Sequence, residues 1–233
     1  KGVLKQLQQY IDTTPPKVLV LIDYVEFNLK LAKYAKDRGV KVLFYVSPQV
    51  WAWRSGRVPK IGAAIDMMAV IFPFETDIYE KHNVPVRYVG HPLADEVKPA
   101  MAAQQVYQQF DLSSQQPICA LLPGSRLGVI ERNLPTMVEA AGLMRAVNDQ
   151  IQFVLPIAPT LDKSVVEAHT TEHIQLVEQH VYDLLSVTDT AMVASGTATL
   201  QTALLQVPMS IMYRVAPVTY WLLSKLVKID HIG

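Results

Sequence analysis

The apolar residues of this chain fall into short runs separated by amphipathic stretches. Residues 17–22 read Lys-Val-Leu-Val-Leu-Ile and stop at Asp23. A continuous apolar run of that length is how a strand buried on both faces reads. Residues 27–37 follow with Phe27, Leu31 and Tyr34 at helical spacing, and Gly39 closes the segment. Further apolar runs at 40–46, 65–72 and 86–89 predict three more strands. Short strands separated by helical segments indicate βαβ units and a parallel sheet. Residues 92–116 break the rhythm: they are polar and carry Gln104-Gln105 and Gln115-Gln116. The pattern then restarts. It predicts strands at 118–122, 151–156, 174–177, 190–194 and 207–213, with helices at 134–147 and from 200 to 205. The reading is therefore two α/β domains, 1–98 and 117–215, joined by a linker at 99–116. Residues 216–233 open a further helix.

Composition narrows the classes. The chain has 233 residues, half of them apolar, enough for a sizeable core. Charged residues make up 18%, below the usual level of about 25%, and 21 basic residues cancel 21 acidic ones. Zero net charge argues against a bulk electrostatic grip on nucleic acid. A single cysteine, Cys119, excludes an internal disulfide and a multi-cysteine metal site, and its apolar strand marks it as inert core. Met67 and Met68 read as core filler. His169, His173 and His180 lie in a polar stretch without metal spacing and read as surface. No apolar run reaches the roughly 18–20 residues that span a bilayer. The chain opens on Lys1 and stops at Gly233 inside an apolar segment, which reads as an internal fragment of a longer protein.

In open parallel sheets, ligands bind beyond the carboxyl ends of the strands. Three polar clusters fall there. In the first, Asp23 ends a strand, with Glu26 and Asn28 just beyond as candidate cleft or substrate contacts. Asp23 reads either as the N-cap of the next helix or as a general base whose basicity is raised by burial. The second is Pro123-Gly124-Ser125-Arg126. Free backbone N–H groups before a helix can hold a phosphate, and Arg126 adds a fork suited to its oxygens. An ordinary turn with a surface Arg is the alternative. The third is Ser195-Gly196-Thr197-Ala198-Thr199-Leu200-Gln201, whose hydroxyls can cap a helix or bind a diphosphate. Two phosphate-type turns in one domain point toward a nucleotide. Trp51, Trp53 and Arg54 follow the second strand and read as buried packing or as a loop at a cleft mouth. His91 precedes Pro92 at a strand end and reads as lining a cleft or as a turn histidine. The segment 217–229 carries Tyr220, Trp221 and several leucines with Lys225 and Lys228. It suits a membrane surface, or a helix packing across two domains.

Taken in order, the words Ser47-Pro-Gln-Val-Trp-Ala-Trp-Arg54, Phe72-Pro-Phe-Glu75, Gly90-His-Pro-Leu93, Leu122-Pro-Gly-Ser-Arg126 and Ser195-Gly-Thr-Ala-Thr-Leu200 closely resemble the lipid-A-disaccharide synthase family. The resemblance runs through essentially the whole chain. It implies a GT-B fold, two Rossmann-like domains facing across a cleft, with the first strand–loop–helix of the N-terminal domain missing. It implies an inverting glycosyltransferase without a catalytic metal or other cofactor. Its substrates would be UDP-2,3-diacylglucosamine and 2,3-diacylglucosamine 1-phosphate (lipid X). The products would be the β-1,6-linked disaccharide 1-phosphate and UDP. It also implies a cytoplasmic enzyme of Gram-negative bacteria, peripheral on the inner membrane; a homodimer is one possible assembly. Asp23 matches the family's base and Arg126 its arginine near the donor phosphates. Gly124, Ser125 and residues 195–199 match the nucleotide-binding turns. Three departures from the family pattern stand out. Tyr24-Val25-Glu26 stands where Ala/Ser-Pro-Asp is usual, Val129 where Glu is frequent, and Gln201 where a Glu is expected on the ribose. The alternatives are a non-catalytic UDP-sugar-binding paralogue and another UDP-GlcNAc-using GT-B enzyme. The fragment alone is expected to be inactive.

Overall fold

The computed structural model describes residues 2–53, 55–212 and 214, and of residues 52, 53 and 55 only the backbone. Arg54, the segment 217–229 and the helix expected from 216 lie outside the described residues. The chain divides into two compact units between Pro92 and Leu93.

The first unit runs α1 (Gly2–Thr13), β1 (Val18–Ile22), α2 (Val25–Lys36), β2 (Lys41–Tyr45), α3 (Val50–Trp53), a 3-10 turn (Ser55–Arg57), α4 (Val58–Ala64), β3 (Met67–Val70), α5 (Glu75–Glu80) and β4 (Val86–Tyr88). Its four strands are parallel and lie in sequence order. That order has a consequence. Right-handed crossovers between successive neighbours deliver every helix to the same face. Leu21, Val42, Phe44, Met68 and Val70 form a core on that face with Ile11, Leu31, Ile61 and Tyr79 from the helices. The other face is largely open. Val18 is 52% exposed, Val20 51% and Ile22 59%. The burial on both faces that its apolar run predicts is therefore not found in β1, because the described helices pack on one face of this sheet only. Met67 shares the open face and is 42% exposed, so it does not fill core, whereas Met68 does.

The second unit runs α6 (Leu93–Glu96), α7 (Ala103–Gln109), β5 (Ile118–Leu122), α8 (Leu127–Val147), β6 (Gln152–Ile157), α9 (Lys163–Glu167), β7 (Ile174–Glu178), α10 (Val181–Ser186), β8 (Thr190–Ala194), α11 (Thr197–Leu204) and β9 (Met209–Met212). Its parallel sheet has the order β7-β6-β5-β8-β9. The order reverses at β5, so crossovers cover both faces. Ile118, Ala120 and Leu122 join a core with α10 residues. Cys119 and Leu121 join a second one with Ile130, Leu134 and Met137 of α8. β5 is accordingly buried at every position. Burial also pushes the Cys119 thiol up to about 11, so it is an unreactive core group. The polar stretch expected as a linker contains α7, whose Val106 is fully buried in the second unit's core. Among the described residues, no helix is long and apolar enough to cross a membrane.

Candidate functional site

The chemistry-bearing residues gather at the carboxyl ends of the strands, but the two units build those ends differently.

In the first unit, β1 passes into α2 through a turn with an unusual backbone. Asp23 has φ 48° and Tyr24 φ 39°, both left-handed. Each non-glycine residue so held costs on the order of 1 kcal/mol, somewhat less for Asp than for Tyr. Asp23 does not cap α2: the capping residue is Tyr24, with no side-chain cap bond. The N-cap reading of Asp23 fails for that reason. The expected burial fails too, because Asp23 is exposed. What holds the turn is its backbone. Asp23 N–H donates to Tyr45 O at 3.0 Å, and Asn28 N–H to Tyr24 O at 3.1 Å. The side chain of Asn28 is buried rather than turned to substrate. Its Nδ2 donates to Ile22 O at 3.0 Å and to Asp23 O at 2.8 Å. Glu26 points outward and meets Arg57 Nη2 at 2.5 Å. Such an exposed pair is worth roughly 0–1 kcal/mol.

The next two strand ends carry a buried polar network. Ser47 Oγ lies 2.8 Å from Tyr79 OH, and both residues are buried. Glu75, only 2% exposed, accepts the Phe72 N–H at 3.1 Å. Burial raises the Glu75 pKa against the opposing bonds from Phe72 N–H, the Ser47 hydroxyl and Ile71 N–H. Burial likewise pushes Tyr79 up to about 12. A row of rings runs on from Phe72, whose N–H bonds Glu75. Trp51 meets Phe74 edge-on at 5.5 Å, Phe74 stacks on Phe72 at 5.5 Å, and Phe72 lies 5.4 Å from His91. Trp51 is half-buried, and its Nε1 is buried without a partner among the described residues. The side chain of Trp53 is outside the description. Ser47 and Glu75 stand in the quoted words without a role of their own in the sequence, and Tyr79 lies outside them. A Glu following Phe-Pro-Phe was the available signal.

In the second unit, the two expected nucleotide turns leave adjacent strands. β5 and β8 pair in parallel, with Leu122 opposite Val193. Both turns therefore sit at the same end of the sheet, at the point where strand order reverses. That is where open α/β sheets bind ligands. α8 begins at Leu127, seven residues before the expected start, so Arg126 itself opens a 21-residue helix. No side chain caps α8 or α11, and neither has an acidic residue in its first turn. Val129 N–H and Thr199 N–H bond back to Arg126 O and Gly196 O; the N–H groups ahead of them and the positive dipole ends remain available to an anion. Gly124 has φ 122°, and a Cβ there would meet Val129 Cγ1 at 2.6 Å. Val129, one of the three departures, is the residue that packs against this glycine. Asn133 is buried beneath the turn and donates from Nδ2 to Pro123 O at 3.2 Å. The Ser125 carbonyl accepts the Thr160 hydroxyl at 2.9 Å.

In the Ser195–Thr199 turn, Ser195 N–H donates to Met212 O at 2.8 Å. The buried Thr199 donates its hydroxyl to Gly196 O at 2.7 Å. Thr199 thus shapes the turn through an internal bond, while Gly196 and Thr197 are exposed at the helix start. Ala198 packs into the core. Gln201 donates to Tyr182 OH at 2.9 Å, and Tyr182 OH donates to Glu96 at 3.2 Å. The third departure is therefore built into a hydrogen-bonded chain. His180, exposed as expected, lies 3.2 Å from the buried Asp183. Asp183 also accepts Ala100 N–H at 2.5 Å and Met101 N–H at 2.7 Å. Burial alone would raise the Asp183 pKa, but the Met101, Ala100 and His180 bonds outweigh it and hold it below the ordinary value.

Two parallel-sheet units, one with paired strand-to-helix turns at a reversal of strand order, define an α/β protein of the GT-B type. Solved structures of this class are similar over most of the chain. The UDP-GlcNAc 2-epimerase from Neisseria meningitidis bound to UDP-GlcNAc matches with a TM-score of 0.62 at 11% identity, over 92% of this chain and 64% of that one. The S. aureus MnaA–UDP co-structure matches with a TM-score of 0.65 at 12% identity, over 100% of this chain and 68% of that one. Identities so low speak to the fold alone.

The sequence goes further. The family described as Lipid-A-disaccharide synthetase matches residues 1–233. A lipid-A-disaccharide synthase from Geobacter metallireducens is 47% identical over 230 residues, 97% of this chain and 60% of that protein. One from Coxiella burnetii is 45% identical over 233 residues, 100% of this chain and 62% of that protein. The chain belongs to the lipid-A-disaccharide synthetase family. It spans about three fifths of the length of these relatives.

Proposed function

We propose that the full-length protein carrying this sequence is a glycosyltransferase of lipid A biosynthesis. It joins UDP-2,3-diacylglucosamine to 2,3-diacylglucosamine 1-phosphate and releases UDP. The observation that carries this reading is the pair of uncapped turns at the β5/β8 reversal in a chain of this family. Asp23 takes the proton from the acceptor 6-hydroxyl. The hydroxyl oxygen then bonds to the anomeric carbon as the bond to UDP breaks, inverting that centre. Arg126 and the N-termini of α8 and α11 stabilise the departing diphosphate, a task that a metal performs elsewhere. Gly124, Ser125, Ser195, Gly196 and Thr197 present the backbone to it. Gln201 serves the ribose side with one carbonyl acceptor, held by Tyr182. The enzyme acts at the cytoplasmic face of the inner membrane, where its acylated substrates are found. The separate relatives named above favour neither a non-catalytic paralogue nor an epimerase.

The test is to incubate the purified full-length protein with both sugars and a chelator, and to follow UDP and disaccharide by mass. Disaccharide formation is the expected result. UDP binding without any product would contradict the reading.

A further inference from the structure

We propose that Asn28 is a positioning residue whose carboxamide locks the Asp23 turn in its reactive shape; this rests on the reading of Asp23 as the base. A general base must be held where the acceptor hydroxyl arrives, and a misplacement of about 1 Å costs roughly 100-fold. Asp23 lies on an exposed turn, so packing of its own side chain does not hold it. The turn has two successive non-glycine residues in the left-handed region, Asp23 and Tyr24. Such a backbone persists only when its surroundings over-determine it. Asn28 does this from one helical turn away. One amide group donates to the carbonyls on both sides of the Asp23 nitrogen–carbon frame, Ile22 O and Asp23 O. The same residue's N–H closes the first helical bond onto Tyr24 O. Asn28 itself is only 9% exposed, so its carboxamide is held against these carbonyls rather than free in solvent. Asn is suited to the task because both contacts need donors, and its –NH2 supplies two from one atom. An aspartate of the same shape supplies none when ionised.

The experiment uses the full-length protein, with rates counted per UDP-binding site so that misfolded molecules drop out. Asn28→Ala should lower kcat roughly 10- to 100-fold, with KM for both sugars and UDP affinity changed by less than about threefold. Asn28→Asp adds a readout that simple packing would not move. Its new carboxyl can donate to a carbonyl only when protonated. The ratio of its kcat to that of the parent should therefore rise as pH falls. Parental kcat in Asn28→Ala would overturn the proposal. So would a ratio flat with pH in Asn28→Asp, which also decides the matter if Asn28→Ala does not fold. Asp23→Ala in the same assay separates the two readings. Full turnover in that variant sinks the base assignment itself. Lost turnover there, beside parental kcat in Asn28→Ala, sinks only the clamp.

Discussion

The turns after β1 and after β5 solve related problems with opposite chemistry. Each leaves a parallel strand and enters a helix over a buried asparagine, Asn28 in one and Asn133 in the other. The first turn keeps side chains on its left-handed residues, Asp23 and Tyr24, and is held by two amide bonds. The second places glycine at its positive-φ position and is held by one. A base is a side chain, so a turn that presents one must fix a residue with a Cβ, and it accepts strain to do so. An anion site is made of N–H groups, so its turn does better with no Cβ in the way. The difference matches the proposed division of labour: the carboxylate of Asp23 in one turn, the backbone around Gly124 with Arg126 in the other.

The sharpest way to break this division is Asp23→Ala. We expect kcat to fall by roughly 10²–10⁴. Full turnover in steady-state assays would remove the first turn from the chemistry. A second effect is expected at Gly124. Gly124→Ala adds a Cβ against Val129 at φ 122°. It should lower stability by at least about 1–2 kcal/mol, read by denaturant unfolding, and weaken UDP binding. Adding Val129→Ala should return the part due to the clash and leave the part due to φ.

Smaller effects sharpen the comparison. Tyr182→Phe breaks the bonds to Gln201 and Glu96. It should weaken UDP binding by about 1 kcal/mol, or roughly fivefold, without changing kcat. An equal loss in kcat would draw Gln201 into the transition state. The smallest effect concerns Glu75 in the network behind the first unit's strand ends. Its pKa is raised, chiefly by burial. A carboxyl whose folded value lies above its unfolded one favours the fold fully below the unfolded value. It loses that contribution as pH rises through the folded value. The parent should therefore lose stability relative to Glu75→Gln as pH rises above the ordinary glutamate value of about 4. Melting temperatures of the two across that range test it; a parent that gains on Glu75→Gln as pH rises would reverse the assigned sign.

Much of this fold is legible in the chain because parallel strands write continuous apolar runs. The runs at 118–122 and 190–194 coincide with β5 and β8, and the others lie within a few residues of their strands. What a run does not encode is which face a neighbour covers. Residues 17–22 and 118–122 look alike, yet β1 is half open and β5 closed, since coverage depends on strand order. The short helices α7, α9 and α10 escape notice because each is only five to seven residues long, too short to show a helical period, and offers one or two apolar core residues such as Val106, Val166 or Leu184. At the candidate site, residue types are readable but partners are not. Asn28 looks like a substrate contact because its targets are carbonyls five and six residues back, in a backbone conformation that no residue type announces. Glu26 and Gln201 likewise find their partners, Arg57 and Tyr182, far along the chain.

The division of labour between the two turns is tested most directly by UDP affinity, measured calorimetrically on the full-length parent, Asp23→Ala and Arg126→Ala. The account predicts parental affinity in Asp23→Ala. In Arg126→Ala it predicts a loss of about 1.5–3 kcal/mol, the scale of a charge-assisted hydrogen bond. Equal losses in both variants, or none in Arg126→Ala, would contradict it.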